Sequence, residues 1–275
     1  MKTGKITLEH DGKNPVHLVV MGDLHVGSRE FARKRAKEFL ETNMALPQSY
    51  LIGMGDHMDT IVLSDRKRFR MSVVDPAYLA MDDPEAILDY QFEDCLALLS
   101  PYKGRILGLT RGNHEDQFIK RYGHNHHRRL CNELGCEDLL AMWMKTVLLK
   151  DQHKKVRSFK LYGAHGHGGS TRTEGGNVTK YSHQTKYFDA DVYLWGHTHD
   201  LWYKAMPCVT TNSVGGWMDR TKHLVNTGSF KKGLGKDTVV TWEETMGFPP
   251  RRLGGVVIAV RPCLAGSGVM IKVTA

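Results

Sequence analysis

Short apolar runs alternate with longer amphipathic segments over the first two thirds of the chain. Runs typical of buried strands cover 16–21, 50–54 and 105–110, and apolar residues at helical spacing mark helices over 29–44 and 84–99. Two shorter helices are predicted over 116–122 and 126–134. Strands that alternate with helices predict an α/β layered fold with functional residues at the carboxyl ends of the strands.

Strand-like segments dominate the later part of the chain. Residues 145–149 and 156–162 flank a polar turn and predict a hairpin, and two more buried runs cover 159–164 and 191–195. Short strand patterns then follow at 201–206, 209–214, 224–227, 256–260 and 269–273. We therefore expect a second, mostly antiparallel sheet that packs on the first, so that the fold is a two-sheet β-sandwich flanked by helices.

Composition places few limits on this architecture. The 275 residues suit a single domain over 1–275, and 41% hydrophobic and 25% charged residues are ordinary for a globular protein. The N-terminus lacks the apolar stretch of a signal peptide, and no run approaches the roughly 20 apolar residues of a membrane span. We expect a cytoplasmic protein that does not bind membranes.

The net charge indicates which partners the protein favours, and the cysteine content indicates the state of its thiols. The net charge of +8 favours anionic partners such as phosphate esters or nucleic acid, although it does not require nucleic acid. The five cysteines are odd in number and form no Cys-x-x-Cys pair, so we expect reduced thiols rather than a disulfide framework.

Each of the five buried runs ends in a loop that carries acids, histidines or an asparagine. The segments are Gly22-Asp23-Leu24-His25, Gly55-Asp56-His57-Met58-Asp59, Gly112-Asn113-His114-Glu115, His165-Gly166-His167 and Gly196-His197-Thr198-His199. One such loop would mean little, but five at strand ends indicate side chains that converge on a pair of metal ions. Carboxylates and imidazoles without cysteine suit Mn²⁺, Fe²⁺, Ni²⁺ or Zn²⁺.

The spacing within the loops supports a shared site. Asp23 and His25 stand two residues apart on an extended loop, so both can reach one ion. His197 and His199 have the same spacing and can serve two neighbouring ions. Asp56 is a lone carboxylate, which can bridge two metals.

In order, spacing and strand context, this pattern resembles the calcineurin-like metallophosphoesterase superfamily from about Val16 to Asp200. The resemblance implies a four-layer αββα fold with a dinuclear metal site at the carboxyl ends of the strands. It assigns one metal to Asp23, His25, Asp56 and His199, and the other to Asp56, Asn113, His165 and His197. It also implies that a metal-bridging hydroxide attacks phosphorus in line. Residues 228–252 resemble, more weakly, the closing segment of short phage or bacterial members.

Two further roles follow from the resemblance. His114 resembles the family's non-ligating histidine, which assists the leaving group or orients the phosphate, and Asp59 resembles the acid that pairs with it. The family often has an arginine after that acid, whereas this chain has Thr60, so a phosphate-binding arginine must come from elsewhere. Both His165 and His167 are available as the fourth-motif ligand. His165 is preferred because it ends the strand directly, which leaves His167 either to support a metal ligand or to contact the substrate.

Three segments around the motifs are candidates for substrate binding. The basic run 66–70 includes Arg66, Arg68 and Arg70, and residues 60–83 are too long for an ordinary connection, which favours a lid or cap. The glycine-rich loop 166–176 carries Arg172, which can supply the missing guanidinium.

The sequence therefore predicts a phosphoesterase with two divalent ions, preferably Mn²⁺, that hydrolyses phosphodiester bonds, with DNA or a nucleotide as candidate substrates. The alternative is a phosphomonoesterase acting on proteins or nucleotides. A non-catalytic metal-binding scaffold is less favoured, because all ligand positions and His114 are present. The oligomeric state is left open.

Overall fold

A computed structural model describes residues 1–66, 68–83, 86–153, 155–173, 175–211, 214–235, 240–263 and 268–275. The strands are β1 (Lys2–Glu9), β2 (Val16–Met21), β3 (Ser49–Gly53), β4 (Ile106–Thr110), β5 (Glu137–Leu140), β6 (Met142–Lys150), β7 (Val156–Ala164), β8 (Val192–Trp195), β9 (Leu201–Thr211), β10 (Trp217–Thr227), β11 (Val256–Pro262) and β12 (Val269–Thr274). The helices are α1 (Arg33–Met44), α2 (Pro76–Leu79), α3 (Ile87–Leu99), α4 (Asn113–Tyr122), α5 (His126–Leu134), α6 (Gly176–Ser182) and α7 (Trp242–Thr245). Ser100–Tyr102 and His183–Lys186 form 3₁₀ turns.

These strands form two six-stranded sheets. The first has the order β12-β11-β2-β3-β4-β5, and the second has the order β1-β6-β7-β8-β10-β9. In the first sheet β2 to β5 are parallel, whereas β11 pairs antiparallel with β2 and with β12. The predicted two-sheet sandwich flanked by helices is confirmed.

The second sheet is mixed, so the prediction that it is mostly antiparallel was wrong. β6 and β7 form the expected antiparallel hairpin, but β8 pairs in parallel with both β7 and β10. The last two strands join the first sheet rather than the second. Alternating polarity identifies a strand but not its partner, which is why the sequence did not assign these neighbours.

The core lies in layers on either side of the first sheet. Between the sheets, apolar residues of both pack together, among them Leu18, Ile52 and Val225. The outer face of the first sheet is covered by α1, α3 and α5. The outer face of the second sheet carries an aromatic cluster in which Tyr181 of α6 stacks on Trp195 at 5.2 Å between ring centroids.

Several boundaries differ from the predictions. β9 is one long strand where two were expected, because Pro207 lies on an edge strand, where a missing N–H is tolerated; residues 212–213 lie outside the described part. β1 and β5 were not predicted. α1 begins at Arg33 rather than at 29, and α3 at Ile87, with residues 84–85 of the predicted helix outside the described residues.

The segment 60–83 packs a small apolar cluster of its own, in which Ile61, Val74 and Tyr78 contact Ile87 at the start of α3. Lys67 lies outside the described residues. The roles of this segment as a lid and of 1–275 as one domain stay predictions. Among the described residues, no helix is long and apolar enough to cross a membrane.

Candidate metal centre

The motif loops meet because their strands end at one edge of the sandwich. β2, β3 and β4 of the first sheet deliver Asp23, Asp56 and Asn113, and β7 and β8 of the second sheet deliver His165 and His197. The site is therefore built across both sheets.

The backbone at these loops is unusual. Asp23, His25, Asp56, His197 and His199 all have left-handed φ angles, of 50°, 52°, 48°, 68° and 57°. Such residues cost of the order of 1–3 kcal/mol each and persist only where neighbouring structure holds them. Main-chain hydrogen bonds hold two of them: the Asp23 N–H donates to Gly55 O at 2.9 Å, and the His25 N–H to Asp56 O at 2.9 Å. The turns aim the side chains at common points.

The first cluster contains two imidazoles that face each other. His25 Nδ1 lies 2.8 Å from Asp59 Oδ1, and His199 Nδ1 lies 2.8 Å from Glu243 Oε1. Because a carboxylate only accepts, each Nδ1 is a protonated nitrogen, and in the neutral ring each Nε2 carries the lone pair. The two Nε2 atoms lie 3.1 Å apart, an arrangement that a cation between them would stabilise.

A buried carboxylate completes this cluster. Asp23 Oδ1 lies 3.4 Å from His199 Nε2 and 4.0 Å from His25 Nε2. It is buried and has no hydrogen-bond partner among the described residues. An unpaired buried carboxylate oxygen beside two imidazole lone pairs fits a cation site.

The second cluster contains imidazoles oriented by main-chain carbonyls. His165 Nδ1 donates to Met54 O at 2.7 Å, and His197 Nε2 donates to Gly168 O at 2.7 Å. In the neutral rings, the form that binds a metal ion, the remaining nitrogens His165 Nε2 and His197 Nδ1 carry the lone pairs. They lie 2.9 Å and 2.7 Å from Asn113 Oδ1, which is also an acceptor.

Asp56 lies between the two clusters. Its Oδ2 is 3.2 Å from His165 Nε2 and 3.9 Å from His25 Nε2, which are nitrogens of different clusters. Its Oδ1 accepts the His114 N–H at 2.9 Å. The donor set of carboxylate, imidazole and amide oxygens fits two divalent cations with Asp56 between them.

The charges in the site influence one another strongly. Burial favours neutral carboxyls, but the imidazoles of His165 and His114 hold the pKa of Asp56 well below its ordinary value. Burial likewise opposes a charged His165, but Asp56 and Asp23 raise the pKa of that imidazole to about 10. Buried carboxylates therefore create a strong preference for positive charge here.

Glu115 holds the loops together without being a predicted ligand. Its Oε1 accepts the main-chain N–H groups of His57 at 2.7 Å and Met58 at 3.2 Å. Its Oε2 accepts those of Asp56 at 3.2 Å and Gly112 at 2.9 Å. Gly112 also allows the loop to approach Asp56 closely, because a Cβ there would lie 2.0 Å from Asp56 Oδ1.

The predicted His114–Asp59 pair lies beside the clusters in a different arrangement from the simple acid–histidine pair expected. His114 Nδ1 lies 2.8 Å from the main-chain oxygen of Asp59 and 3.3 Å from its Oδ1. The Asp59 carboxylate is closer to His25 Nδ1, at 2.8 Å. The main chain of Asp59 thus orients His114, while its carboxylate orients His25.

The structure places the candidate substrate residues differently. Arg68 lies at the site, where its Nη1 is 3.2 Å from His114 Nδ1 and its Nε donates to Asp65 Oδ2 at 2.7 Å. Arg172 points elsewhere: its guanidinium donates to Met246 O at 2.9 and 2.7 Å. Arg66, Arg70 and His167 are exposed.

Sequence reasoning missed the contributions of the segment after β10. Glu243 and Lys231 are largely buried near the first cluster, and Arg251 Nη1 lies 3.5 Å from Glu243 Oε1. The Thr241-x-x-Glu244 capping box could have marked α7, but no signal marks Glu243 itself. Residues 236–239 of this segment lie outside the described part.

Comparison with known proteins gives one family and several similar folds. A family model described as calcineurin-like phosphoesterase matches residues 16–201. No curated protein sequence matches the chain.

Solved structures similar to the chain have low sequence identity. A metallophosphoesterase from Sphaerobacter thermophilus is 12% identical over 95% of this chain and 89% of its own, with a TM-score of 0.37. A predicted phosphoesterase from Streptococcus pneumoniae is 12% identical over 94% and 98%, with a TM-score of 0.34. Vps29 from Entamoeba histolytica, solved with Zn²⁺, is 14% identical over 94% and 98%, with a TM-score of 0.35.

Proposed function

Because the chain belongs to the calcineurin-like phosphoesterase family, and is thus a hydrolase of phosphate esters, we propose that it hydrolyses phosphodiesters with two divalent metal ions. The observation that carries the proposal is the pair of acceptor clusters on either side of Asp56. Asp23, His25, Asp56 and His199 would hold one ion, and Asp56, Asn113, His165 and His197 the other. Mn²⁺ is the preferred ion.

The bound ions would supply positive charge to the phosphoryl oxygens and acidify a bound water. The protein's own residues would position and protonate the ester. His114 Nδ1 faces the main-chain oxygen of Asp59 at 2.8 Å, which leaves Nε2 as the atom that exchanges a proton. In the doubly protonated ring, Nε2 would give its proton to the leaving oxygen, and the neutral ring that results would keep its other proton on Nδ1.

Arg68 supports a substrate of the diester type. Buried Asp65 holds the guanidinium by accepting from its Nε, and Nη1 lies 3.2 Å from His114 Nδ1, so Arg68 provides a positioned cation beside the site. It replaces, from a different segment, the arginine that the second motif lacks. Together with the net charge of +8, this favours a polyanionic substrate such as DNA or a nucleotide.

The test is hydrolysis of a generic phosphodiester, a phosphomonoester, and single- and double-stranded DNA, each with Mn²⁺, Ni²⁺, Zn²⁺ or Mg²⁺. We expect turnover of diesters with Mn²⁺. Turnover of the monoester alone would favour the alternative phosphatase function. Absence of turnover with every metal would favour the metal-binding scaffold.

A further inference from the structure

Glu243 contacts the metal centre from outside the segment matched by the family model. The match ends at residue 201, whereas Glu243 lies in α7, after the second sheet is complete. Its side chain is buried, and its Oε1 lies 2.8 Å from His199 Nδ1.

This contact selects one nitrogen of His199 for the site. The carboxylate keeps a proton on Nδ1, so Nε2, which lies 3.4 Å from Asp23 Oδ1, is the nitrogen left to bind a metal ion. It also limits rotation of the ring. Carboxylates that accept from the outer nitrogen of a metal-bound histidine orient the ring and increase its basicity.

The structure holds the Glu243 carboxylate in place from several sides. Arg251, which is 8% exposed, brings Nη1 to 3.5 Å from Oε1. A Cβ at Gly233 would lie 2.4 Å from Oε2, so the main chain approaches closely there. Thr241 Oγ1 donates to Gly233 O at 2.6 Å, and this hydrogen bond holds the main chain at Gly233 against the start of α7.

We propose that Glu243 is a positioning residue that sets the metal affinity of the position served by His199. The inference rests on the proposed function, because it requires that His199 is a ligand. His25 has the same support from Asp59, so both imidazoles of the first cluster are backed by carboxylates. The two imidazoles of the second cluster are backed by carbonyls instead.

The test is calorimetric titration of metal-free protein with Mn²⁺, comparing the wild type with Glu243→Gln. Glutamine keeps the shape but removes the charge. We expect one binding event to weaken by about 10–100-fold while the other keeps its affinity. Equal affinity of both events in the wild type and Glu243→Gln would overturn the inference and leave the proposed function standing.

Glu244→Gln is the matched control, because Glu244 is exposed and caps the same short helix without contacting His199. We expect it to bind Mn²⁺ as the wild type does. Equal weakening in both variants would show that α7 acts only through its fold, which would contradict the inference. A wild type that binds no Mn²⁺ would overturn the proposed function together with it.

Discussion

At the scale of single residues, the partner of one ring nitrogen decides what the other can do. His25 and His199 donate to carboxylates, whereas His165 and His197 donate to main-chain carbonyls. Because a carboxylate makes its imidazole the more basic ligand, the two candidate metal positions differ chemically. We infer that the ions bind with unequal affinity.

His114 differs from these four because its Nδ1 lies 2.8 Å from the main-chain oxygen of Asp59, and the proposed function assigns its Nε2 to the substrate rather than to a metal ion. We expect His114→Ala to retain both metals and to lower kcat by about 10²–10⁴-fold, the usual contribution of a positioned acid. Metal content by elemental analysis and kcat by steady-state assay check this.

His124→Ala is the control, since His124 is an exposed histidine close to His114 in the sequence. It should leave kcat and metal content unchanged. Loss of a metal from His114→Ala would show that His114 is itself a ligand.

At the scale of elements, one tryptophan ties the two sheets together. Trp143 of β6 donates from Nε1 to Thr110 Oγ1 of β4 at 2.9 Å. Its ring packs against Gly163 of β7, where a Cβ would come within 2.2 Å. The absence of a side chain at this position therefore allows β7 to approach the core.

We expect Gly163→Ala to lower the free energy of unfolding by about 1–3 kcal/mol, because the added methyl overpacks the tryptophan. Urea denaturation measures the change. Gly169→Ala, where a Cβ meets open space, corrects for the entropic effect of alanine and should not destabilise the protein. Equal stability of the two variants would show that Trp143 can move without cost.

Asp138 of β5 contacts His127 of α5, and the stability that this contact provides depends on pH. Burial raises the pKa of this carboxyl, but hydrogen bonds from His127 and the Leu140 N–H outweigh it and lower the pKa from 3.8 to about 2. The ionised form therefore stabilises the fold fully above about pH 4, and this contribution is lost as the pH falls through about 2.

We expect Asp138→Asn to lower the free energy of unfolding by about 1 kcal/mol at pH 7, with the difference vanishing between about pH 4 and pH 2. Urea denaturation of metal-free protein over this range measures it. The exposed Asp82→Asn should match the wild type throughout. A difference that persists at pH 2 would contradict a role for the charge.

At the scale of the whole molecule, the metal centre joins both sheets, since each contributes motif residues. Chelation should therefore lower Tm. A ligand whose free concentration is 100 times its Kd adds about 2.7 kcal/mol to the stability of the folded state, and chelation removes this contribution. Calorimetry with EDTA, followed by added Mn²⁺, measures the loss and its recovery. An unchanged Tm would show that the sheets are held together without the metals.

Much of this molecule could be predicted from local patterns. The strand before Asp23 and its loop were evident because apolar runs and polar loop ends are features of neighbouring residues. Partners distant in the chain were not, and so β11 was placed in the wrong sheet. For the same reason Glu243 was missed, since its role depends on a contact with His199, 44 residues earlier.

The left-handed φ angles of the ligand loops imply a conflict between stability and function. At most positions alanine is more stabilising than glycine, but at His197, with φ of 68°, we expect the reverse. Metal-free His197→Gly should be more stable than His197→Ala by about 1 kcal/mol in urea denaturation, since both lose the same imidazole. A more stable alanine variant would show that the turn is unstrained. The chain thus gives up intrinsic stability at the positions of its proposed metal ligands, and bound ions would restore it.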